Sequence, residues 1–235
     1  MDNAETAEKS WSGRASSIIR PASMVLVIEV TGASVVAGDV VLLAPVSVTV
    51  QRGEALVVRG QNGTGKSTLL RVLAGVRAPS SGTARIGGAS PLGRDRSFRR
   101  RVAAMIGLPP MAPDLTLRDH VLMVATTWTD DAGAAGKATD GVLAELRLSQ
   151  LGERFPHELS SGQTQLFGLS LVLVRPFEVL ILDEPEQRLD AEHLGLVIHA
   201  LRARRDKGAT LVVATHSVVL AEELADHTLH LEAAA

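Results

Sequence analysis

Apolar residues in this chain cluster in short runs separated by polar and glycine-containing segments. The runs at residues 55–59, 179–182 and 209–214 each predict a strand, and residues 179–182 are fully apolar, as in a parallel strand buried on both faces. Residues 46–50 alternate between apolar and polar, which predicts a strand with one face in solvent. Residues 25–30 are apolar enough to form the first strand.

Helical spacing appears in three further segments. Residues 67–73 and 164–174 each predict a helix. Residues 115–151 also predict helical structure, interrupted at residues 130–136, which contain two glycines. A length of 235 residues permits one α/β domain with an ample core and room for an inserted subdomain.

The composition excludes several kinds of chemistry. The chain has no cysteine, which excludes disulfides, thiolate zinc sites and cysteine nucleophiles. The formal net charge is −2 and 46% of the residues are hydrophobic, which indicates a globular protein without attraction to nucleic acid or anionic lipid. The longest apolar run, residues 166–174, is too short to span a membrane, so we expect any role at a membrane to require a partner.

Two other segments are expected to carry no chemistry. Residues 1–23 lack periodicity, which predicts a disordered tail, and their acidic start argues against a signal peptide. A basic cluster consists of Arg94, Arg96, Arg99, Arg100 and Arg101. Only Phe98 interleaves with these arginines, so a solvated face or a partner contact is favoured over a nucleic-acid site.

Residues 60–67 match the phosphate-loop pattern G-x-x-x-x-G-K-[ST] at every fixed position, between a predicted strand and a predicted helix. Glycines let successive backbone N–H groups converge on an anion at the helix N-terminus. Lys66 adds a charge at the β/γ-phosphates, and the Ser67 hydroxyl is a ligand for Mg²⁺. The flanking elements disfavour a chance match. The predicted nucleotide-binding residues are Gly60, Asn62, Gly63, Thr64, Gly65, Lys66, Ser67 and Thr68.

Polar residues also follow two apolar runs in the second half of the chain. Asp183 and Glu184 end the first run, where Asp183 suits a water-mediated Mg²⁺ contact and Glu184 suits polarising the attacking water. His216 follows the second run and is placed to touch a γ-phosphate. Taken alone, Asp183 and Glu184 could be charged loop residues at the end of a strand, and His216 could be an ordinary surface histidine. Downstream of a phosphate loop, the functional interpretation is favoured.

The sequence Leu-Ser-Ser-Gly-Gln at residues 159–163 precedes the helix predicted at residues 164–174. Ser160 or Ser161 is suited to cap this helix, and Gly162 leaves the backbone open. An ordinary N-cap is one interpretation. The other is that this helix N-terminus meets a phosphate held by a second subunit.

Together these motifs resemble those of the nucleotide-binding subunits of ABC transporters, from about residue 25 to the C-terminus. Residues 60–67 resemble the Walker A motif, and residues 179–184 resemble Walker B with its catalytic glutamate. Residues 159–163 resemble the LSGGQ signature, with Ser161 in place of the first glycine.

Three further stretches extend the resemblance. Residues 186–190 lie where the D-loop falls, with Asp190 as its aspartate. His216 resembles the switch histidine, and residues 113–119 resemble the stretch where the helical subdomain begins. The five motifs Walker A, signature, Walker B, D-loop and switch histidine, in this order and at family-like spacing, are together far more specific than any one of them.

The resemblance implies a RecA-like P-loop NTPase core with a small antiparallel β subdomain and an inserted helical subdomain. The ABC ATPase domain would span residues 24–235, with the helical subdomain at about residues 108–172. The implied activity is a Mg²⁺-dependent ATPase. Its catalytic residues would be Glu184, His216 and Lys66, and its Mg²⁺ ligands would be Ser67 and Asp183.

The resemblance also implies partners. Two subunits, identical or different, pair head to tail, with each ATP between the Walker A loop of one and the signature of the other. On the signature side the implied ATP-binding residues are Ser160, Ser161, Gly162, Gln163 and Asp190. Hydrolysis drives separate transmembrane permease subunits, which places the chain in the cytoplasm, peripheral on the inner face of the cell membrane. No nucleic-acid partner is implied.

The chain departs from the family at two places. The Q-loop glutamine is missing, and Gly107 or a neighbour among residues 105–108 takes its position. In addition, no aromatic residue lies between Trp11 and Phe98, so adenine lacks its usual stacking platform near residues 33–36. Ala33, Val35 and Val36 would offer only apolar contact, which predicts weak base selectivity.

Alternative functions remain open at this stage. A soluble ATPase of the same fold would serve DNA repair, translation or iron–sulfur assembly. The middle region is too short for the coiled coil of a repair protein, and a translation factor usually has two such domains, whereas this chain has one phosphate loop. Iron–sulfur assembly stays possible. A nucleotide-binding regulator without catalysis is disfavoured by Glu184 and His216, but the missing Q-loop glutamine keeps it open.

Overall fold

A computed structural model describes residues 26–93 and 95–233 of the chain. The predicted tail at residues 1–23, residue 25 of the first predicted strand and Arg94 of the basic cluster lie outside the described residues. Within the two described ranges, no helix is both long and apolar enough to cross a membrane.

The described residues form eight strands and seven α-helices. The strands are β1 (Leu26–Ala37), β2 (Val40–Gln51), β3 (Ala55–Arg59), β4 (Ser81–Ile86), β5 (Val102–Ile106), β6 (Val179–Asp183), β7 (Thr210–Ala214) and β8 (His227–His230). The helices are α1 (Lys66–Leu73), α2 (Arg96–Arg101), α3 (Leu117–Thr126), α4 (Ala132–Glu145), α5 (Ser161–Leu173), α6 (Ala191–Asp206) and α7 (Val218–Leu224). Short 3₁₀ turns occupy Pro91–Gly93, Ser149–Leu151 and Pro156–Glu158.

A parallel sheet of five strands forms the centre, in the order β5-β6-β7-β3-β8. Its three inner strands, β6, β7 and β3, are buried along nearly their whole length, which accounts for their apolar sequences. Since the strands run in one direction, their carboxyl ends share one edge of the sheet. The segments that begin at Gly60, Glu184 and Thr215 therefore lie side by side.

A second, antiparallel sheet has the order β2-β1-β4. β1 and β2 are twelve residues long, well beyond the strands predicted at residues 25–30 and 46–50. Register shifts interrupt the pairing of β1 at several points, and each shift breaks the alternation of side chains along the strand. The two sheets and the helical region between β5 and β6 confirm the predicted fold class.

α3, α4 and α5 follow one another between β5 and β6. The interruption predicted at residues 130–136 is present but displaced, because α3 ends at Thr126 and α4 already begins at Ala132. Asp131 caps this helix by accepting a hydrogen bond from the Gly133 N–H at 2.8 Å, and Ala135 is fully buried. The cap and the burial offset the cost of two glycines near the start of the helix.

Apolar side chains pack on both faces of the parallel sheet. Leu69 and Leu73 of α1 belong to the core on one face, whereas Phe167 of α5 and Leu201 of α6 belong to the core on the other. All four side chains are fully buried. The sheet edge that carries the loops is thus held on a rigid frame.

Candidate nucleotide site

The phosphate loop connects β3 to α1, as predicted. Lys66 is only 5% exposed, and its Nζ donates hydrogen bonds to the carbonyl oxygens of Gly60 (2.9 Å) and Gln61 (3.0 Å). The Thr64 hydroxyl also donates to the carbonyl of Gln61, at 2.9 Å. The loop is therefore closed on itself around the lysine.

Two glycines of the loop are required by close approach of other backbone. A Cβ on Gly60 would lie 2.5 Å from the carbonyl oxygen of Leu231, and one on Gly65 would lie 2.6 Å from that of Leu42. Gly65 also precedes α1 with φ +98°, in the left-handed region. These positions accept no side chain without movement of the neighbouring backbone.

Glu184 follows β6 directly, in a left-handed backbone conformation with φ +49°. Its N–H donates to the Ala214 carbonyl of β7 at 2.8 Å, which fixes the backbone at the sheet edge. Its Oε1 lies 3.4 Å from Nε2 of His216, and the Gln187 amide donates to its Oε2 at 3.3 Å. The structure thus brings together two of the predicted catalytic residues, Glu184 and His216.

A cleft of about 430 Å³ lies between the phosphate loop, Glu184 and the start of β2. Its lining consists of Val40, Val41, Leu42, Asn62, Gly63, Gly65, Lys66, Ser67, Thr68 and Glu184. The cleft therefore collects most of the predicted phosphate-binding residues together with the candidate water-polarising carboxylate. It has room for a phosphate chain with one end beside β2.

The apolar surface expected for the base is not where the sequence placed it. Ala33 and Val35 are buried in the core and cannot contact a base, and the half-exposed Val36 is absent from the cleft lining. Val40 and Val41 line the cleft instead and are exposed. They follow the turn between β1 and β2, which returns the chain towards the phosphate loop.

The donor set suits Mg²⁺. The Ser67 hydroxyl lies in the cleft, and Asp183, the last residue of β6, precedes Glu184. Mg²⁺ is held by few protein oxygens together with substrate phosphates and waters. Correspondingly, the described ranges contain no group of three or more histidine, aspartate or glutamate side chains arranged to hold a metal ion.

Residues 43–187 match the family model described as ABC transporter, which covers more than half of the chain. The chain belongs to the ABC transporter family. A Streptomyces avermitilis protein named as an ABC transporter ATP-binding protein is 36% identical over 214 residues, which are 91% of this chain and 38% of that relative. The chain thus spans well under half of that relative's length.

Two more comparisons agree with an ATP-binding subunit of the ABC transporter family. An aliphatic sulfonates import ATP-binding protein of Rhizobium johnstonii is 34% identical over 206 residues, 87% of this chain and 73% of the relative. The solved structure of an ATP-binding subunit of an ABC transporter matches with a TM-score of 0.79 and 26% identity, covering 88% of this chain and 86% of the solved one.

The residues that resemble the ABC signature lie at the N-terminus of α5. Ser160 is the N-cap, and its hydroxyl accepts from the Gln163 N–H while Oε1 of Gln163 accepts from the Ser160 N–H at 2.9 Å. Gly162 packs against the segment after Glu184, where an added Cβ would lie 3.0 Å from the Arg188 carbonyl oxygen. Among the described residues, the lining of the cleft includes none from Ser160 to Gln163. The signature and the phosphate loop of one chain are therefore separate.

Asp190, the aspartate of the segment that resembles the ABC D-loop, is also outside the cleft lining. It caps α6 by accepting hydrogen bonds from the N–H of His193 at 2.9 Å and from Nδ1 of His193 at 2.8 Å. These bonds hold the pKa of the Asp190 carboxyl below its ordinary value. The carboxylate is ionised and committed to the helix cap.

Gly107, one of the candidate positions for the missing Q-loop glutamine, directly follows β5. Ile106 pairs with Asp183 in the parallel sheet, so Gly107 lies at the same edge as the candidate metal ligand. Nothing lies within 4 Å of a Cβ built on this glycine. The position therefore contributes no side chain to the site.

Proposed function

We propose that this chain hydrolyses MgATP and that hydrolysis powers transport through separate permease subunits. The observation that carries the proposal is that Glu184, which lines the cleft together with the phosphate loop, has its Oε1 3.4 Å from Nε2 of His216, a residue that is not part of that lining. A site that only bound nucleotide would need the loop and not this pair. Because the chain spans only part of its Streptomyces relative, both the activity and the partners are proposals.

The proposed roles follow from position. Lys66 and the loop N–H groups bind the phosphates. Ser67, and Asp183 through water, would hold Mg²⁺, which would supply charge neutralisation at the β- and γ-phosphates. Glu184 lines the cleft, so its carboxylate is placed to act as a general base. In this role it polarises the attacking water and receives its proton. His216 donates towards the γ-phosphate and lies beside Glu184. Phosphoryl transfer needs little beyond this positioning and charge stabilisation.

We propose that the second half of each nucleotide site comes from another subunit, identical or different. The N-terminus of α5 carries a positive dipole end, and the backbone N–H groups of Ser161 and Gly162 in its first turn are not engaged by the capping box, in which the Gln163 N–H donates to the Ser160 hydroxyl. A γ-phosphate supplied by a second chain would satisfy both. Nucleotide should therefore stabilise a dimer that is weak without it.

We expect Gly162→Asp to abolish the nucleotide-dependent dimer. The added side chain meets the Arg188 carbonyl and the Leu189 side chain, and its negative charge repels phosphate. The measurement is size-exclusion chromatography with light scattering on Glu184→Gln protein, with and without MgATP. Gly195→Asp is the matched control, because nothing lies within 4 Å of a Cβ at that exposed helical glycine. Equal dimerisation of the Gly162→Asp protein would contradict the assignment of the signature.

We expect the affinities for ATP and GTP to agree within about threefold. The valines that line the cleft, Val40 and Val41, offer methyl groups to either base and lack the stacking gain of an aromatic face, roughly 0.5–1.5 kcal/mol. Competition binding with both nucleotides measures this. Val40→Tyr should tighten both by up to roughly tenfold, since stacking tolerates any base. A strong preference for ATP in the wild type would show that another group recognises adenine.

We propose that residues 108–172 form the inserted helical subdomain and that the chain works at the cytoplasmic face of a membrane, on permease subunits. The neighbouring reading frames provide the first test, since several apolar 20-residue segments would identify a permease. Co-expression and co-purification with that permease then test the complex. An ATPase rate that the permease changes supports transport, whereas a chain that never binds it favours a soluble ATPase.

A further inference from the structure

Glu186 lies two residues after Glu184 and contacts a segment distant in sequence. Its Oε1 accepts hydrogen bonds from the backbone N–H of His216 (3.0 Å) and of Ser217 (3.2 Å). The Thr215 hydroxyl donates to the same oxygen. One carboxylate oxygen therefore holds three consecutive residues of the loop that follows β7.

These contacts determine where the His216 side chain lies. The imidazole is 46% exposed, so packing contributes little to its position, and its Nε2 is 3.4 Å from Oε1 of Glu184. The backbone beneath it is fixed by Glu186, and by Ser217, whose N–H also donates to the Thr215 hydroxyl at 2.9 Å. The imidazole thus depends on the loop backbone for its place beside Glu184.

The turn that carries Glu186 is itself held from the other side. Gln165 of α5 is only 4% exposed, and its Nε2 donates to the carbonyl oxygens of Glu184 (3.2 Å) and Pro185 (3.3 Å). The base of the turn is therefore fixed to α5. A fixed turn is what allows a side chain on it to set the position of a second loop.

We propose that Glu186 is a positioning residue that holds His216 against Glu184, a role in hydrolysis that rests on the function proposed above. Neither Glu186 nor His216 is among the residues that line the cleft, and Glu186 binds the His216 backbone N–H, so Glu186 acts on the position of the imidazole beside Glu184. Its Oε2 is buried and has no hydrogen-bond partner in the described part of the chain, so the contacts pass through Oε1 alone. An amide oxygen accepts the same three bonds, so acceptor geometry is what the loop requires.

The kinetic test compares Glu186→Ala, Glu186→Gln and the control Glu222→Ala in the full chain, with Glu222 exposed on α7. Glu186→Ala should lower kcat by roughly tenfold or more and leave KM for ATP within about twofold, because a 1 Å displacement of a reacting group costs up to about a hundredfold. Glu186→Gln should keep kcat within about threefold, and Glu222→Ala should change nothing. A Glu186→Gln enzyme as slow as Glu186→Ala overturns the proposal.

A double-mutant cycle separates positioning from general loss of structure. In a His216→Ala background, Glu186→Ala should lower the rate by less than about twofold, because the residue it positions is gone. An equal loss in both backgrounds overturns the proposal. If Glu186→Ala does not fold, Glu186→Gln decides: a rate near that of the wild type supports the proposal, and a tenfold loss overturns it.

A third measurement needs no turnover. The imidazole NMR signals of His216, assigned by their disappearance in His216→Ala, should shift in nucleotide-free Glu186→Ala and keep their positions in Glu186→Gln. A wild-type chain without ATPase activity would overturn the proposed function alone. An unmoved His216 signal in Glu186→Ala would overturn the positioning role.

Discussion

Lys66→Ala is expected to weaken ATP binding by roughly ten- to hundredfold. Charge-assisted hydrogen bonds contribute about 1.5–3 kcal/mol each, and 1.4 kcal/mol corresponds to a tenfold change in affinity. In the structure the ammonium lies inside the loop, within 3.0 Å of the Gly60 and Gln61 carbonyls, so it is already in the centre of the anion site. Isothermal titration calorimetry with MgATP measures the loss.

The matched control for Lys66→Ala is Lys207→Ala, which removes an exposed lysine after α6. It changes the net charge by the same amount and lies outside the cleft lining. Affinity should fall only for the Lys66 variant. Equal affinity of Lys66→Ala and wild type would refute the assignment of the phosphate loop as the ATP site.

Glu184→Gln is expected to lower the hydrolysis rate by about 10²–10⁴-fold while ATP binding persists. General-base catalysis contributes factors of that size, and the amide has nearly the same shape but cannot accept the proton of the attacking water. The backbone bond from the Glu184 N–H to Ala214 is independent of the side chain, so the turn should keep its conformation. Phosphate release under saturating MgATP reports the rate.

Glu222→Gln provides the control for that experiment, since it makes the same change on the exposed face of α7. Calorimetry on both variants should show unchanged ATP affinity. Phosphate release from Glu184→Gln at the wild-type rate would exclude Glu184 as the base and leave the carboxylate with a structural role.

The three inner strands of the parallel sheet, β3, β6 and β7, were predictable from sequence because burial on both faces leaves a continuous apolar run, whereas the two edge strands, β5 and β8, were not predicted. Residues 55–59 and 179–182 show this directly. The extent of β1 was not predictable, since its register shifts break the alternation that marks a strand. The start of α4 was hidden by its glycines, and only a capping contact by Asp131 and a packing contact at Ala135 reveal it.

The parts of the site formed by consecutive residues were predictable from sequence. The parts that depend on contacts between distant residues were missed. The phosphate loop and Glu184 carry their chemistry in consecutive residues. Val35 and Val40 are both valines, and the local sequence does not distinguish them. The turn between β1 and β2 makes Val35 a core residue and places Val40 in the lining of the cleft. The contacts of Glu186 span about thirty residues, so no local pattern announces them.

The backbone conformation at Gly107 also limits which residues can replace this glycine. Its φ is +80°, in a region that residues with side chains rarely adopt. A single codon change that introduced glutamine there would cost about 1–3 kcal/mol of strain unless the turn after β5 rearranged. A side chain at position 107 is therefore tied to the main-chain path: either the turn keeps its left-handed backbone at that cost, as the backbone of Glu184 does at φ +49°, or it relaxes into another conformation.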